Sequence, residues 1–167
     1  NVQATSMDVA WTNGNGASRM VIANAGNPVS STPFDGSSYS LYQNLSAGDV
    51  VVYTGSANSF SFTSMGSGGL TPGVTYHLKV IEFNGSGTTT SYLGSPSLIG
   101  SQATIILASE PTVAATNMVF SAVQTTSMTV SWTSGNGANR IVVARAGSAV
   151  TSVPSDGSSY SLYQVLS

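Results

Sequence analysis

Trp11, Asp35 and Tyr42 recur as Trp132, Asp156 and Tyr163, each 121 positions later. The match has no gaps, and 31 of the 46 positions from Asn1 to Ser46 are identical to those from Ala122 to Ser167. A period this long is a whole domain and not a solenoid unit, so each copy should fold around its own core. The expected division is a module over 1–108, a linker over 109–116 and the N-terminal part of a second copy over 117–167. The second copy is preceded by an apolar run, Asn117 to Val123, that has no counterpart before the first copy. The second copy in turn stops before anything equivalent to Asp49. The expectation is a window onto a longer array of modules, with strands donated by neighbours as the alternative way of completing each one.

Within a copy the apolar residues recur at spacing two. Met7, Val9 and Trp11 alternate with Asp8 and Ala10, and Met128, Val130 and Trp132 alternate with Thr129 and Ser131. The apolar set is unchanged while the intervening set varies, as a half-buried strand tolerates, because successive side chains point to opposite faces. Strands are predicted over Met7 to Thr12, Arg19 to Ala23, Asp49 to Tyr53, Phe60 to Thr63, Thr75 to Phe83 and Leu98 to Leu107. A further one is predicted over Met118 to Ala122, and Arg140 to Ala144 should repeat the second. Gly14-Asn15-Gly16 and Gly135-Asn136-Gly137 are expected to make hairpin turns through positive-φ positions. The fold class is therefore all-β, and seven strands separated by turns suit an immunoglobulin-like sandwich.

The run Leu70-Thr71-Pro72-Gly73-Val74-Thr75-Tyr76 places a tight Pro-Gly turn just before a strand that begins with tyrosine. It reads as a tyrosine corner, in which the phenol is buried and its hydroxyl bonds upstream backbone. With Trp11 (and Trp132 in the copy) on the second strand, and Leu70, Pro72, Gly73 and Tyr76 leading into the penultimate one, the chain resembles fibronectin type III modules. A longer pattern resembles, more narrowly, modules of very large secreted proteins of the Bacteroidetes. It runs S-M-x-V-x-W-T-x-G-N-G, R-x-V-x-A-x-A-G, P-x-D-G-S-S-Y, V-V-Y-x-G, L-T-P-G-x-x-Y-H and E-F-N-G-S-G. That resemblance implies an extracellular or cell-surface setting and a role as adhesin, stalk or spacer. Ser64 to Gly69 departs from the pattern by lengthening the loop before the corner.

Charged residues make up only 6% of the chain, against about 25% in ordinary soluble domains. Gly, Ser, Thr and Asn fill the polar positions instead, and such a surface has little charge repulsion to hold copies apart. Arg19, Lys79, Arg140 and Arg145 are the only cations, too few for a basic stripe on nucleic acid. Apolar runs such as Val50 to Tyr53 and Ile105 to Ala108 are far short of a membrane span. With no cysteine there are no disulfides or thiolate metal sites, and any secretion signal would lie outside this sequence.

Catalytic chemistry is poorly supplied, and the chain is expected not to be an enzyme or to hold a cofactor. His77 is the only histidine and falls on a predicted strand, where a triad would need it beside an activated serine and an orienting acid. The carboxylates Asp8, Asp35, Asp49, Glu82, Glu110 and Asp156 are scattered singly, without the facing pair of a glycosidase or the oxygen cluster of a calcium loop. Asp35-Gly36 reads as a turn, with Gly36 at positive φ. Asn44-Leu45-Ser46 and Asn84-Gly85-Ser86 match the glycosylation acceptor pattern. The candidate contact residues for a ligand or partner are Tyr39 and Tyr42 with their repeats Tyr160 and Tyr163, since loop aromatics can stack on sugars or anchor a partner. The expected function is a non-catalytic structural or adhesive segment whose partners are neighbouring modules of the same protein, in a homopolymer or filament. The alternative is an accessory module of a secreted hydrolase that holds glycans or other cell-surface ligands.

Overall fold

The computed structural model describes residues 1–166, which fall into two units, Asn1–Leu107 and the segment from Ala108 onward. The first contains β1 (Met7–Ala10), β2 (Ser18–Ala25), β3 (Val50–Gly55), β4 (Ser59–Phe62), β5 (Thr75–Asn84), β6 (Ser91–Tyr92) and β7 (Leu98–Ala103). All pairings are antiparallel. β1 and β4 form one sheet, and the other runs β3-β2-β5, with β6 and β7 both on the far side of β5.

The two sheets share one core. Met7 and Phe62 of the smaller sheet pack with Val21, Ala23, Val50, Val52, Tyr76, Leu78 and Val80 of the larger, and Trp11 and Leu70 complete the cluster. β2 is buried on both faces, which explains its unbroken apolar run. Its other face offers Met20 and Ile22, which join Val51 and Ile81 in a second cluster. That cluster is covered by the long connection between β2 and β3, through Val29, Tyr39 and Leu45. Fully burying a side chain of this size contributes about 1.5–3 kcal/mol, and even the partial burial of these three makes the connection part of the fold and not slack between strands.

Three sequence expectations are corrected. β1 and β2 do not form a hairpin: β1 pairs only with β4, and β2 with β3 and β5, so Gly14 to Gly16 carries the chain from one sheet to the other. Nor do these glycines adopt positive φ. They are needed for closeness, because a Cβ on Gly16 would stand 2.7 Å from Oε2 of Glu82 and 3.0 Å from the backbone nitrogen of Phe83. The last predicted strand ends at Ala103, because Thr104 turns its hydroxyl back to the carbonyl of Thr71 at 2.6 Å.

The second unit contains β8 (Thr116–Ser121) and β9 (Thr129–Thr133), paired as an antiparallel hairpin. β9 is the counterpart of β1, covering the equivalents of positions 8–12 where β1 covers 7–10. The predicted strand over Arg140 to Ala144 is not formed, although its counterpart in β2 is. β2 is a central strand, hydrogen-bonded on both edges by β3 and β5. The second unit's described residues contain no equivalent of either, and backbone groups without a ladder partner gain nothing from extended geometry. A cleft of about 1020 Å³ lies between residues 140–145 and 160–166. In the first unit the corresponding segments pack with Val51 and Ile81.

Candidate functional site

The expected corner is present in its particulars. Pro72 and Gly73 make a turn in which the amide of Val74 donates to the carbonyl of Thr71 at 3.4 Å, with Gly73 at φ +73°. Tyr76 is buried, and its hydroxyl accepts the amide of Thr71 at 2.8 Å. Phe62 meets the Tyr76 ring edge-on at 5.5 Å between centroids. Ser64 to Gly69, read as an added loop, sends Met65 against the core.

All six charged side chains of the first unit are tied into it by hydrogen bonds. Asp8 accepts the hydroxyl of Ser61, Asp35 accepts the amide of Tyr92, and Lys79 donates to the carbonyl of Ser31. Arg19 and Glu82 form a buried ion pair at 3.0 Å. Glu82 also accepts the amides of Gly14 and Gly16, while Arg19 donates to the carbonyls of Gly14, Gly16 and Ser56. Burial raises the Glu82 carboxyl, but the Gly14 amide and the Arg19 guanidinium outweigh it and hold the group below its ordinary value.

Asp49 is fully buried at the start of β3. One oxygen takes the Asn24 amide at 2.7 Å, and the other takes the backbone amides of Ser30 and Ser31 and the Ser30 hydroxyl. Burial again raises the carboxyl, and the bonds from Asn24, Ser31 and Ser30 overcome it, so the net shift is downward. This carboxylate fastens the β2–β3 connection to the sheet. Sequence reasoning missed it, though an isolated acid directly before Val50-Val51-Val52 was the available signal.

The tyrosines divide into two kinds. The Tyr39 hydroxyl accepts the amide of Phe34 at 2.9 Å, and its ring meets Tyr92 edge-on at 5.9 Å, so Tyr39 closes its own loop over the second cluster. Tyr160 repeats the bond, accepting the amide of Ser155 at 2.7 Å. Tyr42 and Tyr163 both sit at φ +65° and are 44% and 93% exposed. Around them Ser40 donates its amide to the Gln43 side chain, and Ser161 does the same to Gln164, each at 2.9 Å. Gly36 and Gly157 take positive φ in both copies. The structure therefore leaves Tyr42 and Tyr163 open to contact and turns Tyr39 inward.

His77 lies on β5 opposite Asn24 of β2 and Ser101 of β7, an amide and a hydroxyl, with no acid as cross-strand neighbour. Among the described residues no group of three or more His, Cys, Asp or Glu side chains could hold a metal ion, and no helix is long and apolar enough to cross a membrane.

One edge and one groove remain in the first unit. Alternate residues of β1 face β4, as when Trp11 donates its amide to Asn58 at 2.9 Å. Asp8 and Ala10 face the other way. The Asp8 amide meets the carbonyl of Asn1, but the Ala10 amide and carbonyl have no partner among the described residues. Beside that edge runs an apolar groove of about 340 Å³ lined by Val2, Met7, Val9, Trp11, Leu78 and Leu98, among others. Trp11 is buried, and its indole Nε1 is the one buried side-chain nitrogen or oxygen without a hydrogen bond among the described residues.

No family model matches the chain, and neither a curated protein nor a solved structure matches it.

Proposed function

We propose that this chain is a non-catalytic structural segment of an extracellular tandem-repeat protein, built from fibronectin-type-III-like β-sandwich modules. These modules join end to end and to one another in a cell-surface filament, stalk or adhesin. The observation that carries the reading is the use made of charge. A site that moves protons or binds a charged substrate needs charged groups aimed at open space. In the first unit all six are spent on internal fastening, three of them on the β2–β3 connection. The 121-residue repeat supports modularity, and the Tyr76 corner with Trp11 supports the sandwich type. What remains outside is mostly hydroxyl, amide and apolar surface, with Asp8 and Asp35 as its exposed carboxylates, and so little charge favours contact between like copies.

Electron microscopy of the native material tests this. Long thin fibres with a regular axial repeat are expected, and dispersed globules would overturn it.

A second reading is favoured by one observation, the exposure of Phe34, Leu41 and Tyr42 along the β2–β3 connection. Flat apolar faces there suit stacking on a glycan. Glycan-array binding that disappears in Tyr42→Ala would promote an accessory binding role, and an array without signal would remove it.

A further inference from the structure

We propose that Asn13 and Asn15 are latent deamidation sites, and that the Glu82 carboxylate, paired with Arg19, keeps both of them closed. The inference concerns the durability of the module and does not depend on how its copies associate.

Asn13-Gly14-Asn15-Gly16 is two Asn-Gly steps in succession, and both asparagines are exposed. Asparagine is a thermally labile side chain, and most so before glycine, whose missing Cβ leaves the following amide unhindered. In the reaction the glycine nitrogen attacks the side-chain carbonyl carbon of the preceding asparagine and gives its proton to solvent. The side-chain nitrogen leaves as ammonia, a succinimide ring closes, and water opens it to aspartate or isoaspartate. Larger residues in place of the glycines would slow the attack, but a Cβ on Gly14 or Gly16 would stand 3.0 or 2.7 Å from a carboxylate oxygen of Glu82. The packing that demands glycine here therefore also creates the labile steps.

The same carboxylate holds both nucleophiles. The Gly14 amide donates to its Oε1 at 2.7 Å and the Gly16 amide to its Oε2 at 3.1 Å. A charge-assisted bond of this kind is stronger than a neutral one. An N–H bonded to an anion gives up its proton less readily, and its nitrogen does not reach the neighbouring side chain until the bond breaks. The carbonyls of Gly14 and Gly16 accept from Nη2 of Arg19 at 3.3 and 3.0 Å, so each glycine is gripped at its amide and at its carbonyl. Arg19 and Glu82 are themselves paired at 3.0 Å, with side chains only 6% and 15% exposed, where water does little to loosen the clamp. Isoaspartate at either position would lengthen the backbone and set a second carboxylate beside Glu82, opening the clamp from within. Asn84-Gly85, the other Asn-Gly step of the first unit, lies outside this clamp and serves as a reference.

The test ages the whole chain in mildly alkaline buffer and reads aspartate and isoaspartate at each asparagine by peptide mass spectrometry, with the urea-unfolded chain as the reference. Asn13 and Asn15 are expected to deamidate about tenfold or more slower when folded, because the glycine amides must first be released. Glu82→Gln keeps a single acceptor oxygen. At Asn13, Asn15 or both the rate should then rise about tenfold or more, the weight of a hydrogen bond to a charged group, without a matching rise at Asn84. Tyr76→Phe loosens the module at the corner and leaves the clamp intact, so Asn13 and Asn15 should stay slow in it. Hydrogen exchange in the unaltered chain decides the matter should Glu82→Gln not fold. The Gly14 and Gly16 amides should then exchange about tenfold or more slower than in the unfolded chain, and free exchange at both would overturn the proposal. Equal folded and unfolded deamidation rates at Asn13 and Asn15 would overturn it too. So would a folded Glu82→Gln with no rise, or a rise that Tyr76→Phe reproduces, because the carboxylate would then not be the shield.

Discussion

The amide of Thr71 donates to the hydroxyl of Tyr76 at 2.8 Å, across the turn that Pro72 and Gly73 make. The bond ties the loop leaving β4 to the first turn of the strand at the centre of the larger sheet. Tyr76→Phe removes the acceptor and keeps the ring in place. The expected loss is about 1–1.5 kcal/mol, read as a lower urea midpoint with an unchanged m-value, since the surface exposed on unfolding is the same.

Asp49 makes the module acid-sensitive in a defined direction. Its carboxyl is held below the ordinary value when folded, so its contribution is fully present above about pH 4, the unfolded carboxylate range. It is lost as pH falls through the folded value, because protonation then favours the unfolded chain. Asp49→Ala should cost about 2–3 kcal/mol at neutral pH, leaving the amides of Ser30 and Ser31 without their acceptor. Asp49→Asn should flatten the acid side of a stability-against-pH profile measured by thermal melts.

Gly16 and Gly100 make a matched pair of substitutions. An alanine methyl at Gly16 meets the Glu82 carboxylate and the Phe83 amide, whereas one at Gly100 meets nothing within 4 Å and needs no unusual φ. Gly16→Ala is expected to destabilise by about 1–3 kcal/mol, as overpacking does. Gly100→Ala should be neutral or stabilising by up to about 1 kcal/mol, because it restricts the unfolded chain. Chemical denaturation of both variants decides the sign at each site.

Hydrogen exchange should separate two corresponding stretches of the repeat. Amides of residues 20–23 lie in a ladder bonded on both edges, and they should exchange only on global unfolding. Amides of residues 141–145 have no such ladder and should exchange orders of magnitude faster. Equal protection in both stretches would contradict the described second unit.

That contrast also explains which parts of the fold could be read from residues alone. The segment from Pro33 to Gln43 folds alike in both units, down to the Tyr39 and Tyr160 hydroxyl bonds and the matching φ of Tyr42 and Tyr163. The bonds that the two copies have in common span five residues or fewer, so a short stretch contains its own instructions. The corner at Tyr76 is legible for the same reason. The strand predicted over Arg19 to Ala23 forms as β2, while the one predicted over Arg140 to Ala144 does not, because this conformation depends on partners such as β3 and β5 that lie tens of residues away. The glycines of the Gly14 to Gly16 loop look like turn residues, yet what requires them is Glu82. The inward turn of Tyr39 was hidden likewise, since it depends on Tyr92 and on the second face of β2. Even so, Tyr42 and Tyr163 stand open where a loop aromatic was expected.

The internal engagement of every charged side chain in the first unit has a consequence for the setting in which it works. Attraction and repulsion between copies normally weaken or strengthen with dissolved ions, over a screening distance of about 8–10 Å. A unit whose ion pair is largely buried and which exposes only the Asp8 and Asp35 carboxylates offers those ions little to act on. Its stability and its contacts should therefore be nearly the same in brackish, marine or fresh water.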